Sequence, residues 1–255
     1  MPRKIIFMKD KKTVTLLPDK IRLNRFISNS GLCSRRDADE HIKNGLISVN
    51  GKVVTNLATQ VSPRDDVRYK NKKLTAEKKV YILMNKPKDC VTTVEDPHAE
   101  RTVLDLLGSK LRERVYPVGR LDKATTGVLL LTNDGELTKK LTHPKHKRRK
   151  IYHVFLDRAV TKNDLGKLVE GIDLDGSMVV ADSVSYVDAE DKSQIGIELH
   201  SGQNRVVRRM FEKLGYSIKK LDRVYFAGLT KKNVPRGKWR FLTEKEIVML
   251  KRGFF

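Results

Sequence analysis

The clearest apolar segment of the chain is residues 128–131, which contain no polar side chain and are followed by the turn-forming sequence Thr-Asn-Asp-Gly. An uninterrupted apolar run of this kind, closed by a turn, predicts a strand buried on both faces. The preceding residues 119–126 are polar and begin with glycine, which predicts a loop at the edge of the core. Because this loop contains Arg120 and Asp122, a guanidinium and a carboxylate are expected where a buried strand begins.

Residues 21–66 have the pattern of a small separate module. Apolar residues at helical spacing around Phe26 predict a first helix, and Ser-Arg-Arg-Asp at residues 34–37 forms a capping box that begins a second. Residues 47–54 alternate around an Asn-Gly pair, which predicts two strands joined by a type I′ turn. The module is therefore expected to contain two helices and a hairpin.

After residue 80, strand patterns outnumber helix patterns and the connections are mixed. The predicted strands are residues 80–84, 128–131, 151–155, 179–187, 195–199 and 223–226. The predicted helices are residues 134–141, 161–170 and 205–214, with a short helix that begins at 103–107 and a last helix capped by residues 243–246. This order predicts an α+β domain built on a mostly antiparallel, curved, mixed sheet with flanking helices.

Composition divides the chain into four segments. Residues 1–20 form a basic arm, for which a contact with RNA and a disordered terminus are both open interpretations. Residues 21–66 form the small module, and the polar, lysine-rich residues 67–79 predict a mobile linker. Residues 80–255 form the larger domain.

The balance of charges indicates the kind of partner. Lysine and arginine number 53 against 31 acidic residues in 255, which gives a net charge of +22. Such an excess attracts polyanions, while 39% apolar residues are enough for a folded core. No apolar run approaches the roughly 18 residues that span a bilayer, and no amphipathic helix has the broad aromatic face of a membrane-surface segment. Nucleic acid is the expected partner, with no membrane contact.

Cysteine and histidine usage bears on location and metals. Cys33 and Cys90 lie far apart and suggest neither a disulfide framework nor a metal site, so reduced thiols and a cytoplasmic location are expected. His143 and His146 are three residues apart, but no Cys, Asp or Glu nearby completes a ligand set. We therefore expect no metal and no cofactor.

Three basic clusters are candidates for contact with phosphates. They are Arg25, Arg35 and Arg36 in the small module, Lys147, Arg148 and Arg149 in the densest basic run, and Arg205 and Arg209 on the last predicted helix. The free N–H groups at the start of the second helix also favour phosphate. Each arginine alone could lie on a solvated face, but together the clusters predict RNA binding.

Four stretches of the sequence resemble a known family. Gly-Arg-Leu-Asp at residues 119–122, followed by Thr-Thr-Gly-Val-Leu-Leu-Leu-Thr-Asn-Asp-Gly at 125–135, resembles the signature of RNA pseudouridine synthases that modify ribosomal RNA. Lys-Ile-Tyr at 150–152 and Gly-Gln-Asn-Arg with Arg-Arg at 202–209 resemble the second and third motifs of that family. The small module resembles an S4 RNA-binding domain in its sequences Arg-Leu-Asn-Arg-Phe-Ile, Cys-Ser-Arg-Arg-Asp-Ala-Asp and Val-Asn-Gly-Lys-Val-Val.

The resemblance implies a reaction and residues that carry it out. In this family the N1–C1′ bond of a uridine breaks, the uracil rotates, and the ring rejoins the sugar through C5 without redox change. Asp122 would be the single catalytic carboxylate, acting as nucleophile or as a base on the sugar, and Arg208 would pair with it. Tyr152 would stack on the uracil, which must first leave the helix stack, and whether it also removes the C5 proton stays open. Arg120 would occupy the vacated space or hold the flipped nucleotide.

Other interpretations stay open at this stage. Arg120 and Asp122 could form a surface salt bridge, and Tyr152 could be an ordinary strand aromatic. A non-catalytic RNA-binding ribosome-assembly factor would explain the charge and the S4-like module, but not three motifs in catalytic order. A metal-dependent nuclease needs clustered carboxylates, whereas Asp122 has no acidic neighbour before Asp134.

The expected partner is ribosomal RNA. The flanking residues resemble the large-subunit enzymes of the family more than the small-subunit enzymes. We therefore expect 23S-type RNA, or an assembly intermediate that contains it, as the partner of a monomeric protein.

Overall fold

A computed structural model of the chain describes residues 20–93, 101–108 and 111–253. The chain divides into two compact units, Met1–Glu77 and Lys78–Phe255. Apart from its last residue, the predicted basic arm lies outside the described residues. None of the helices in the described ranges is long and apolar enough to cross a membrane.

The first unit contains two helices and short strands around a small apolar core. Its elements are β1 (Ile21–Arg22), α1 (Leu23–Asn29), α2 (Arg35–Lys43), β2 (Ile47–Val49), β3 (Lys52–Val53), β4 (Gln60–Val61), β5 (Val67–Tyr69) and β6 (Lys72–Lys73). The predicted capping box is present, because the Ser34 side chain accepts from the N–H of Asp37 and the Asp37 side chain accepts from the N–H of Ser34. Asn50 and Gly51 both have positive φ, as the predicted turn between β2 and β3 requires.

The predicted linker at residues 67–79 is wrong in its first half. Strand β5 pairs with β2, and Val67 is fully buried in the core of this unit. Strand β6 then pairs with β5 through a turn in which Lys70 and Asn71 have positive φ. The lysines of β6 are exposed on the last strand of the sheet, so its sequence looks like that of a linker.

The second unit contains the remaining elements. Its strands are β7 (Tyr81–Lys86), β8 (Tyr116–Pro117), β9 (Thr125–Thr132), β10 (Lys150–Leu156), β11 (Ile172–Leu174), β12 (Ser177–Val179), β13 (Ser183–Tyr186), β14 (Gln194–Leu199), β15 (Ile218–Phe226), β16 (Leu229–Thr230) and β17 (Trp239–Phe241). Its helices are α3 (Gly135–Thr142), α4 (Lys162–Glu170), α5 (Val206–Lys213) and α6 (Glu244–Arg252), with a 3-10 turn at Pro144–His146.

Nine of these strands form one mixed sheet in the order β13-β14-β10-β15-β9-β7-β17, with β8 beside β9 and β16 beside β15. The pairs are antiparallel except β9 with β15, which is parallel. The predicted α+β class with a mostly antiparallel mixed sheet is thus confirmed. Strand β9 lies within this sheet, and its residues 128–131 are fully buried as predicted.

A glycine allows β9 to approach β15. Gly127 has φ +107°, and a Cβ atom there would lie 2.1 Å from the carbonyl oxygen of Arg223 and 2.4 Å from Asp222 Oδ1. Any other residue would push the strands apart. The loop before β9 is therefore held close to β15, where the cleft of this unit opens.

Candidate active site

A cleft of about 720 Å³ opens where the loop before β9, the start of β10, residues 201–205, α5 and β15 come together. The predicted site residues Arg120, Asp122, Tyr152, Arg205 and Arg208 all line it. They come from three separate parts of the chain, so the fold alone brings them together.

Asp122 and Arg208 form an ion pair in this cleft. Arg208 Nε lies 3.5 Å from Asp122 Oδ2, and its Nη2 donates to the hydroxyl of Thr125 at 3.4 Å. The Arg208 side chain is 12% exposed and the Asp122 side chain 35% exposed, so the arginine is fixed while the carboxylate faces the open cleft. The geometry is that of a carboxylate oriented by a permanent cation.

Arg205 provides a second cation at the same carboxylate. Its Nη1 lies 4.0 Å from Asp122 Oδ2 and its Nη2 lies 3.3 Å from Glu212 Oε1. Arg205 precedes α5 in a left-handed conformation with φ 50° and ψ 27°, which a residue with a side chain seldom adopts. Strain of this kind is typical of functional sites and directs this side chain toward the cleft loop.

Lys86 fixes the loop that carries Asp122, a role that sequence reasoning missed. Its side chain is fully buried, and its ammonium group donates to the carbonyl oxygens of Pro87, Asp122, Lys123 and Thr125 at 2.9–3.2 Å. Burial lowers the pKa of Lys86 to about 8, and the nearby acidic groups, including Asp122, oppose this shift. The available signal was a lysine at the end of β7, one residue after the apolar run at residues 81–84.

Lys150 fixes the opposite rim in the same way. Its ammonium group donates to the carbonyl oxygens of Arg148, His200 and Ser201 at 3.0–3.2 Å. This attachment holds the start of residues 201–205, the segment that leads into α5. Burial, reinforced by the Arg223 guanidinium, lowers the pKa of Lys150 to about 8, while Asp182 acts in the opposite direction.

We expect turnover to fall as the pH rises through about 8, because Lys86 and Lys150 then lose the charge and one N–H donor that hold the loops. The free energy of unfolding should instead rise over the same pH range. Between a folded pKa of about 8 and the ordinary value of 10.5, the unfolded chain binds more protons, so both lysines favour the folded state as pH rises. Single-turnover rates and melting temperatures measured together would distinguish loop loosening from unfolding.

The variant Lys150→Arg keeps its charge throughout this pH range and serves as the matched control. It should show a weaker alkaline decline in rate than the unaltered protein. A rate that stays flat to about pH 10 in the unaltered protein would contradict this role of the two lysines.

Tyr152 lies on the floor of the cleft, next to a buried arginine. Tyr152 is 9% exposed on β10 and is the strand partner of Arg223 on β15. Arg223 is 3% exposed, and its Nε–H donates to the carbonyl oxygen of Val128 at 2.9 Å. Sequence reasoning missed Arg223, and its only signal was a charged residue next to the apolar end of this strand, residues 224–226.

The remaining predicted RNA-binding residues are distributed outside the centre of the cleft. Arg120 is exposed at its mouth. Arg209 points elsewhere, because it pairs with Asp175 at 2.5 Å, and Arg149 pairs with Glu198 at 2.5 Å. Lys147 is exposed, Arg148 is half-buried, and in the first unit Arg35 and Arg36 are exposed and Arg25 is half-buried.

Over the described ranges 20–93, 101–108 and 111–253, no group of three or more His, Cys, Asp or Glu side chains is arranged to hold a metal ion. His143 accepts from the backbone N–H of Lys145, and its ring lies 6.0 Å from that of His146.

Comparison with known proteins assigns this chain and its fold to a class of RNA-modifying enzymes. Residues 80–213 match the RNA pseudouridylate synthase family, and residues 21–67 match the S4 domain family. The crystal structure of a pseudouridylate synthase superimposes with a TM-score of 0.65 at 29% identity, over 90% of this chain and 99% of that chain.

Curated relatives extend over almost the whole chain. Ribosomal large subunit pseudouridine synthase B of Bacillus subtilis is 38% identical over 90% of this chain and 95% of its own length. The dual-specificity RNA pseudouridine synthase RluF of Escherichia coli K12 is 37% identical over 92% of this chain and 80% of its own length. The chain therefore belongs to the RNA pseudouridine synthase family and carries an S4 domain.

Proposed function

We propose that this protein converts a specific uridine of large-subunit ribosomal RNA to pseudouridine, with Asp122 as its single catalytic carboxylate. The observation that carries the proposal is the Asp122–Arg208 pair in the basic cleft. The relatives named as ribosomal large subunit and dual-specificity synthases support the choice of substrate. We also propose that the enzyme is cytoplasmic and monomeric, and that it uses neither a metal nor a cofactor.

The carboxylate can act in either of two ways. As a nucleophile, Asp122 attacks C1′ while the electron pair of the N1–C1′ bond leaves with uracil. As a base, it removes a sugar proton while the same bond breaks. In both routes the uracil turns and bonds to C1′ through C5, while the Asp122–C1′ bond breaks or the sugar proton returns. A proton then leaves C5 and one is taken up at N1, so the product is an isomer of uridine. Arg208 orients Asp122 in both cases.

The target base must leave its helix before it reaches the cleft, which costs a few kcal/mol. Arg120, which lines the cleft, would fill the vacated space or hold the flipped nucleotide. Tyr152 would stack on the uracil inside the cleft. Phosphate contacts with Arg25, Arg35, Arg36, Lys147, Arg148, Arg149, Arg205 and Arg209 would supply most of the affinity.

The alternative from another class is a non-catalytic RNA-binding ribosome-assembly factor. It accounts equally well for the S4 domain and for the net charge of +22. It does not account for a cleft in which Asp122 lies beside two arginines, the half-exposed Arg205 and the nearly buried Arg208.

The test uses unmodified large-subunit and small-subunit RNA transcripts, incubated with the protein and a chelator, followed by mapping of pseudouridine. We expect conversion at one or a few uridines of the large-subunit transcript. Pseudouridine in the small-subunit transcript alone would refute the choice of subunit. Tight binding without pseudouridine would favour the assembly factor, and metal-dependent strand breaks would favour a nuclease.

Removal of residues 1–77 should weaken RNA binding and flatten its dependence on salt. The cut follows the structural boundary at Glu77 and leaves every residue that lines the cleft in place. Each lost phosphate contact lowers the slope of log affinity against log salt by about 0.7–0.9. An unchanged slope would show that the S4 domain does not contribute phosphate contacts here.

A further inference from the structure

Arg223 is a buried cation whose hydrogen-bonding capacity the described chain does not satisfy. It lines the cleft beside Tyr152 and is 3% exposed. Its Nε–H donates to Val128, but Nη2 is buried with no hydrogen-bond partner among the described residues. Among the described residues, no carboxylate forms an ion pair with Arg223.

A buried guanidinium with an unsatisfied N–H group destabilises a folded protein. A buried charge is ordinarily paired, because loss of hydration is not otherwise compensated. The Phe226 ring, 4.7 Å from the guanidinium carbon, offsets part of this cost. Burial lowers the pKa of Arg223. The nearby Lys150 ammonium adds a like charge, so the site is suited to an electron-rich group in the cleft.

We propose that Arg223 is a further catalytic residue, whose Nη2 group donates to a carbonyl oxygen of the flipped uracil and stabilises the negative charge that the ring acquires. This inference rests on the proposed function. When the N1–C1′ bond breaks, its electron pair stays on uracil and spreads over N1 and the carbonyl oxygens. The charge disappears when C5 bonds to C1′. The C5 proton then leaves while N1 takes up a proton, so no outside reactant is required.

The position of Arg223 suits this role. Arg208 is committed to Asp122 and Thr125, and the ammonium groups of Lys86 and Lys150 are occupied by backbone carbonyls. Arg223 Nη2, which is buried at the cleft and has no hydrogen-bond partner among the described residues, is therefore a donor available to the base. A preorganised donor aimed at developing charge typically contributes about 10²–10³ in rate.

The test compares RNA with uridine and RNA with 5-fluorouridine at the target position. Fluorine stabilises the uracil anion and makes it a better leaving group. Cleavage of the N1–C1′ bond then depends less on stabilisation of that anion by the protein. We expect Arg223→Gln to lower the single-turnover rate about 10²–10³-fold on uridine, and at most about tenfold on 5-fluorouridine. For each RNA, the measured quantity is the loss of uridine or 5-fluorouridine from the target position, determined after digestion to nucleosides. Equal slowing on the two RNAs would overturn the inference.

Arg236→Gln is the matched control. Arg236 pairs with Asp222, the neighbour of Arg223 on β15, but does not line the cleft. Any loss of rate in this variant should be the same for both RNAs. If the unaltered protein forms no pseudouridine, the proposed function fails. If it does and Arg223→Gln matches it on uridine, the inference alone fails.

A second measurement leaves Arg223 unchanged and so does not depend on the folding of its variants. In a complex of the Asp122→Asn protein with uridine-containing RNA, Arg223 Nη2 should lie within about 3.2 Å of the uracil O2 or O4. A flipped uracil whose carbonyl oxygens are both well beyond that distance would also overturn the inference.

Discussion

Asp122→Asn is expected to bind ribosomal RNA within about threefold of the unaltered protein and to form no pseudouridine. The amide has nearly the shape of the carboxylate, so the contacts with Arg208 change little in space. It can neither attack C1′ nor accept a sugar proton. Binding persists because many cations on a chain of net charge +22 share the phosphate contacts.

This expectation separates chemistry from binding in two measurements on one sample. RNA affinity is measured across a salt series, and pseudouridine is counted after prolonged incubation. Asp175→Asn is a suitable control, because that carboxylate is 91% exposed and pairs with Arg209 rather than Arg208. It should retain turnover. Measurable conversion by Asp122→Asn would remove the central residue from the proposal.

Arg208→Ala is expected to lower turnover by about 10³-fold, and Arg208→Lys by about 10²-fold. Arginine holds Asp122 and Thr125 at once with a planar group that stays charged. Lysine keeps the charge but lacks that geometry. Because Asp122 is 35% exposed, the loss of stability should be below the roughly 3–5 kcal/mol typical of a fully buried pair.

Arg209→Ala provides the comparison for Arg208, one residue further along α5. Its guanidinium pairs with Asp175 and does not line the cleft, so turnover should be nearly unchanged and only RNA affinity should fall. Single-turnover rates at saturating RNA, together with melting temperatures, would test both positions. If Arg209 proved essential and Arg208 dispensable, the assignment of the arginine partner of Asp122 would be wrong.

Much of the architecture follows from local sequence patterns. The buried strand at residues 128–131, the capping box at Ser34 and the Asn50-Gly51 turn are determined by neighbouring residues, and all three are present in the structure. The motif at residues 202–209 resembles the third motif of the family, and this resemblance predicted that Arg208 lies near Asp122, 86 residues earlier. The two side chains form an ion pair in the structure.

The supporting interactions of the site could not be predicted in this way. Lys86 and Lys150 act through hydrogen bonds to backbone carbonyls of other segments, and such contacts leave no pattern in neighbouring residues. The burial of Arg223 depends on the close approach of β9 and β15 at Gly127. Strands β5 and β6 were assigned to a linker because exposed lysines on an edge strand resemble a solvated connection.

The most direct test of the account is made in the source cell. Pseudouridines in ribosomal RNA are mapped in a strain that lacks this gene, and in the same strain supplied with the unaltered gene or with Asp122→Asn. The account predicts that one or a few large-subunit positions lose pseudouridine, and that the unaltered gene alone restores them. An unchanged pseudouridine map in the deletion strain, or restoration by Asp122→Asn, would contradict it.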